Sequence, residues 1–184
     1  MAQKVLVPIA DGIEEMEAIT IIDVLRRAGV QVTVASVGAT TQVIASRGVK
    51  LIADTRIDQC TGQNYDCIVL PGGMPGAELL RDSKPLTELL KQQKQRGAGY
   101  AAICASPAVV LQHHGLLPDN ATCHPAFTDQ LPNTAKAEER VVVDGKCVTS
   151  RGPGTALEFA LELVSQLTGK DKARQIAEQM LAAV

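Results

Sequence analysis

Cys104 stands at the end of the short apolar run Gly99-Tyr100-Ala101-Ala102-Ile103 and just ahead of Ala105-Ser106-Pro107. Strand patterning gives way to helical patterning there: the run follows the turn signal Arg96-Gly97, and Val109, Val110 and Leu111 continue beyond it. Ser106 is the expected N-cap and Pro107 the first helical residue. A cysteine at such a junction meets unpaired backbone N–H groups and the positive end of a helix dipole, which favours thiolate over thiol. Its small neighbours Ala102 and Ser106 suit a sharp turn, so the segment reads as a nucleophile elbow built on sulfur. The chemistry expected is covalent addition by Cys104.

Two other loops carry groups able to assist a thiol. Gly72-Gly73, after a buried strand, either makes a tight turn or presents backbone N–H groups as an oxyanion site. Its spacing is not that of a dinucleotide fingerprint. Glu14, Glu15 and Glu17 form either the favourable negative first turn of a helix or a source of one carboxyl beside the thiol. A carboxyl so placed would have a raised pKa and could donate and accept a proton. The residues alone leave open which of the three does so. His124, in Cys123-His124-Pro125, reads as a packed loop residue or a catalytic one.

These groups need elements to hold them, and the chain alternates between strand and helix patterns. Lys4–Ile9 reads as a first strand, Glu14–Ala28 as an amphipathic helix closed by Gly29, and Val30–Val37 as a second strand. Gln42–Ile52 reads as a hairpin turning near Arg47-Gly48, and Asp66–Leu70 as a short buried strand. Helices over Ala77–Arg81 and Lys84–Arg96 precede the strand into Cys104. The stretch beyond Leu117 is less regular until Arg140–Ser150, a hairpin centred on Asp144-Gly145. Helices over Gly154–Thr168 and Lys170–Ala183 complete the pattern. Repeated β-α-β order predicts a doubly wound, mostly parallel α/β sheet with helices on both faces, in one domain over residues 1–184. In such a sheet the functional loops gather at the carboxyl ends of the strands.

Composition excludes several classes. Of 184 residues, 46% are hydrophobic and only 2% aromatic, so the core must be aliphatic, as in a buried parallel sheet. A net charge of −2 gives no general attraction to nucleic acid or anionic membrane. The opening residues lack signal-peptide architecture, and no apolar run reaches the length of a membrane span, so a soluble cytoplasmic protein is expected. The five cysteines, Cys60, Cys67, Cys104, Cys123 and Cys147, include no C-x-x-C pair, which argues for reduced thiols rather than a disulfide framework. All but Cys104 read as small core or loop residues. His113-His114 and Cys123-His124 lack metal-ligand spacing, so no metal is expected.

The order of these pieces resembles the DJ-one/ThiJ/PfpI superfamily, in particular its YajL-like and DJ-one-like branch. The resemblance covers nearly the whole chain. It rests on Gly12-Ile13-Glu14-Glu15-Met16-Glu17, Asp23-Val24-Leu25-Arg26-Arg27-Ala28-Gly29, Ala45-Ser46-Arg47-Gly48 and Val69-Leu70-Pro71-Gly72-Gly73. Ala101-Ala102-Ile103-Cys104-Ala105, His124-Pro125 and Thr149-Ser150-Arg151-Gly152-Pro153-Gly154-Thr155 follow in the family's order. It implies a flavodoxin-like homodimer with Cys104 as nucleophile and oxidation-sensitive thiol. It picks Glu17 as a protonated carboxyl hydrogen-bonded to the sulfur, the Gly73 and Ala105 amides as oxyanion donors, and His124 as the site histidine. Arg27 and Arg47 resemble arginines that gather near the cysteine across the dimer interface, where they would hold an anionic group.

Two activities follow from the resemblance. One is a cofactor-independent glyoxalase III or deglycase, acting on methylglyoxal, glyoxal or their thiol and amine adducts. The other is a redox-sensing chaperone whose cysteine is oxidised to a sulfinic acid. A peptidase is disfavoured, because Ala105 occupies the position where peptidases of the superfamily carry histidine. Cys123 also departs from the family, where threonine is common.

Overall fold

The computed structural model describes residues 2–182. A seven-stranded sheet in the order β5-β2-β1-β6-β7-β9-β8 forms its centre. The strands are β1 (Lys4–Ile9), β2 (Gln31–Ser36), β5 (Thr55–Arg56), β6 (Cys67–Leu70), β7 (Gly99–Ile103), β8 (Val141–Asp144) and β9 (Cys147–Ser150). All neighbours run parallel except β8 and β9, which form the hairpin expected around Asp144-Gly145. β3 (Gln42–Ile44) and β4 (Lys50–Ile52) make a separate antiparallel hairpin. β1, β6 and β7 are almost wholly buried, as near-continuous Val, Leu, Ile and Ala runs between two helix layers must be.

The helices are α1 (Glu15–Arg27), α2 (Gly76–Asp82), α3 (Lys84–Gln95), α4 (Ala156–Thr168) and α5 (Lys170–Gln179). α1 packs on α4 and α4 on α5, while α2 packs on α3 and on the turn after Cys104, so helices cover both faces. The chain therefore has the doubly wound, mostly parallel α/β architecture its β-α-β order predicts, and it is flavodoxin-like as the family resemblance implies. Ala18, Ile21, Val24 and Leu25 of α1 are fully buried, and Glu17 shares their stripe. The final helix stops at Gln179, short of the expected Ala183, which lies outside the described residues. β5 and two 3-10 turns, Ile57–Cys60 and Pro125–Gln130, carry no periodicity long enough to be read in the sequence.

One local expectation is corrected. Ser106 does not cap a helix: it is itself helical (φ −65°, ψ −32°) and leads into a π-helical segment, Pro107–Gln112. Its hydroxyl instead donates to the Pro71 carbonyl at 2.6 Å, tying the elbow to the loop after β6. That long-range bond outcompetes the local cap, and wide π turns recur beside functional sites.

Candidate active site

The elbow is built as a strained backbone held from two sides. Cys104 has φ +64°, a left-handed conformation that non-glycine residues avoid. Its N–H donates to the Ser150 carbonyl at 3.0 Å, and its own carbonyl accepts from the His124 N–H at 2.8 Å. The ends of β7 and β9 and the segment at His124 thus over-determine the turn. The thiol is half-buried, whereas Cys60, Cys67, Cys123 and Cys147 are buried free thiols.

Glu17 is the glutamate that reaches the cysteine. It is fully buried, because the 3.6-residue period places it on the same face of α1 as Ile21 and Val24. One carboxyl oxygen accepts from the Gly72 N–H at 2.7 Å; the other, Oε1, is buried without a hydrogen-bond partner among the described residues, and the carboxyl lies close enough to the Cys104 thiol for each to shift the other's pKa. The other two glutamates do different work. Glu14 is the N-cap of α1, and its N–H donates to the Gly72 carbonyl at 2.9 Å. Glu15 accepts from the Ser46 hydroxyl at 2.8 Å and from the Arg47 N–H at 2.7 Å, anchoring the β3–β4 hairpin.

Gly72 and Gly73 are required by close approach. A Cβ on Gly72 would lie 2.5 Å from Cys104 Cβ and 2.9 Å from the Glu17 carboxyl. Gly73 has φ +89°, and a Cβ there would meet the Glu14 nitrogen at 2.3 Å. Their amides divide the labour. Gly72 is committed to Glu17, whereas the Gly73 and Ala105 amides act on the Cys104 thiol, each favouring its charged form.

A cleft of about 400 Å³ opens on the sulfur, lined by Cys104, Gly73, Ala105, Arg47, His124 and Phe127 among others. His124 Nδ1 accepts from the Ala126 N–H at 3.2 Å, capping the turn Pro125–Gln130 and leaving Nε2 as the remaining nitrogen. Its ring makes no hydrogen bond to Cys104 among the described residues. Arg27 is not brought into the cleft of its own chain. It pairs with Asp23 at 2.7 Å near the far end of α1, roughly 15 Å along the helix axis from Glu17. Ser46, Met74 and Phe127 are site residues that sequence reasoning passed over, because their roles come from contacts between loops distant in the chain.

Burial opposes the thiolate that the elbow's amides favour. Burial and then the adjacent Glu17 carboxylate push the Cys104 thiol up to about 12, against the Gly73 and Ala105 amides. Burial pushes Glu17 up to about 7, against the Gly72 amide and the thiol hydrogen bond. Between those two values the pair holds a single proton, on sulfur or on carboxyl. Thiol with carboxylate and thiolate with carboxylic acid are then tautomers, and the second is a nucleophile beside an acid.

Comparison with known proteins gives the chain's relatives. The DJ-1/PfpI family profile matches residues 3–166. The chain is 50% identical over 179 residues to Protein DJ-1 homolog B of Arabidopsis thaliana, covering 97% of this chain but 41% of that protein, so it spans less than half of that relative. It is 36% identical to the glutathione-independent glyoxalase DJR-1.2 of Caenorhabditis elegans, over 99% of this chain and 98% of that one. The structure of oxidized Toxoplasma gondii DJ-1 superposes with a TM-score of 0.97 at 54% identity, each chain covered in full. With a profile spanning most of its length and relatives at this identity, the chain belongs to the DJ-1/PfpI family.

Proposed function

We propose that the chain is a cofactor-independent cysteine enzyme that converts methylglyoxal or glyoxal, free or as thiol or amine adducts, into lactate or glycolate. The observation that carries this reading is a buried Glu17 held by the Gly72 amide against Cys104, with its pKa raised to about 7. A carboxyl poised near neutrality can both give and take a proton, which the reaction requires. In the first step the Cys104 thiolate adds to the aldehyde carbon and Glu17 gives its proton to the nascent alkoxide, with the Gly73 and Ala105 amides beside it. Glu17, now a carboxylate, takes the proton from that carbon and returns it to the neighbouring carbonyl carbon through an enediol. The product is a cysteine thioester of the hydroxy acid, which water hydrolyses, restoring the thiol. No electrons leave the system, so no redox partner is needed.

The glyoxalase name of the Caenorhabditis relative supports this activity. Arg47, at the cleft mouth, would hold the carboxylate product, and His124 would order water near the thioester. The single proton of the Cys104–Glu17 pair also supports a second reading, a redox-sensing chaperone, since a relative of 54% identity is described in oxidized form. A peptidase gains no support, with Ala105 after the nucleophile and His124 turned to the Ala126 amide.

A second copy of the chain completes the proposed assembly. Met16 and Ile19 on α1 and Ile44, Val49 and Ile52 on the hairpin are exposed, and the Glu15–Ser46 bond joins those two elements. A homodimer through this face, working as a single-domain cytoplasmic enzyme, is the arrangement we favour. No helix among the described residues is long and apolar enough to cross a membrane. The deciding assay is lactate formation from methylglyoxal by wild type and Cys104→Ala, without added metal or glutathione. Lactate from the wild type alone supports the enzyme. Lactate from neither protein, with ready peroxide oxidation of Cys104, favours the sensor.

A further inference from the structure

The cleft around Cys104 does not end at Met74 and Phe127. Both side chains also border a second groove of about 270 Å³, whose polar walls are Glu78 and Arg81 of α2, Gln112 and His113 of the π-helical segment, and Gln130. Ala108, four residues past the nucleophile, also lines it. Met74, unbranched and 42% exposed, forms a deformable sill between the two spaces.

A dicarbonyl of four or five heavy atoms fills on the order of 100–150 Å³, at about 30 Å³ per water-sized group. The Cys104 cleft alone exceeds that, and the second groove is surplus to a free dicarbonyl. Its walls carry both signs of charge. Glu78 and Arg81 stand three residues apart on one face of α2. Arg81 Nε and one terminal nitrogen donate to Asp82 at 2.8 and 3.0 Å, which fixes the guanidinium and leaves it N–H groups for an incoming carboxylate. Glu78 suits an ammonium, and the Gln112 and Gln130 amides suit peptide groups. Such walls disfavour an apolar tail, and Glu78 disfavours a wholly anionic one.

We propose that this groove is a carrier subsite, holding the zwitterionic, peptide-sized thiol of a hemithioacetal while its dicarbonyl carbons reach Cys104. The inference rests on the dicarbonyl reading above. In the cleft the carbon–sulfur bond to the carrier breaks, the hydroxyl proton passes to the carrier sulfur, and the aldehyde so reformed accepts the Cys104 thiolate. The carrier leaves as a free thiol. Turnover of free methylglyoxal does not require it; the subsite lowers KM.

The test compares lactate formation from methylglyoxal alone, from its hemithioacetal with glutathione as the zwitterionic probe, and from its hemithioacetal with 2-mercaptoethanol. At equal adduct concentrations the glutathione adduct should show a KM about tenfold lower, the effect of one well-placed charged contact. Glu78→Gln and Arg81→Gln should erase that difference and leave kcat/KM for methylglyoxal alone within about twofold. Equal KM values for both adducts, in a wild type that converts methylglyoxal alone, overturn the subsite and leave the glyoxalase reading standing. If no substrate yields lactate, binding decides: Cys104→Ser is titrated with the inert thioether S-methylglutathione. Saturable binding that Arg81→Gln abolishes supports the subsite, and no saturable binding at millimolar concentration overturns it.

Discussion

Gly72 and Glu17 are 55 residues apart in the chain, yet the Gly72 amide donates to the Glu17 carboxyl at 2.7 Å in a fully buried setting. That single bond orients the carboxyl, whose other oxygen is left without a hydrogen-bond partner among the described residues, near the Cys104 thiol. It also joins the loop after β6 to α1, while separate bonds to Ser150 and His124 hold the Cys104 backbone.

Glu17→Gln should separate thiol acidity from turnover. An amide still accepts from Gly72 but bears no charge, so the repulsion that helps hold Cys104 near 12 is removed. Alkylation of Cys104 by iodoacetamide should then rise at lower pH than in the wild type. Lactate formation should fall by about 10²–10⁴-fold, because no proton can be exchanged. Normal turnover in this variant would sink the proton-shuttle role.

The same carboxyl makes stability depend on pH. Its folded pKa, about 7, lies above the ordinary value of 4.5, so the native state binds more protons than the unfolded state between them. Stability from this group is fully present below about pH 4.5 and is lost as pH rises through about 7. Wild type should lose Tm between pH 5 and 8 relative to Glu17→Gln, whose difference from wild type should grow across that window. Parallel Tm profiles for the two proteins would contradict the raised pKa.

Turnover should follow the opposite trend. The one-proton form of the Cys104–Glu17 pair is the reactive one, so kcat/KM should climb about tenfold per pH unit below about 7 and level off above it. A profile that is flat from pH 5 to 8 would rule out Glu17 as the group that must ionise.

The left-handed backbone at Cys104 stores strain that glycine would release. Cys104→Gly should be more stable than Cys104→Ala by about 1 kcal/mol, or roughly 2–4 °C in Tm for a chain of this size. Both variants lack the thiol, so thermal melts compare backbone effects alone. An equal or lower Tm for the glycine variant would show the turn to be unstrained.

Arg27 tests the assembly. Within its own chain it pairs with Asp23 on the surface, far along α1 from the cleft. If a second copy docks through α1 and the hairpin, Arg27→Ala should weaken lactate binding as a product inhibitor several-fold, as Arg47→Ala should. Sedimentation should show a dimer for wild type. A dimer in which Arg27→Ala leaves lactate inhibition unchanged would remove Arg27 from the site.

Several features were legible in the sequence because they are local. The strand Lys4–Ile9, the hairpin ends at Gln42 and Ile52, the stop at Gly29 and the break before Cys104 all follow from apolar period and turn chemistry. The choice among Glu14, Glu15 and Glu17 was not legible from the residues, because the helix reads as starting at Glu14; the structure starts it at Glu15 and buries Glu17 on the face of Ile21 and Val24. Composition alone set the aliphatic core of a parallel sheet.

Tertiary structure decided what depends on groups distant along the chain. Ser106 spends its hydroxyl on Pro71 and so caps nothing; Glu15 secures Ser46 and Arg47 in place of any catalytic task. The elbow's helix dipole is a local property legible in the sequence, whereas the burial of Cys104 and its adjacent carboxylate, which oppose the thiolate, are not. Periodicity along the chain determines which face of an element is buried. Only packing determines which charges share that interior, and hence where the proton of Cys104 and Glu17 resides.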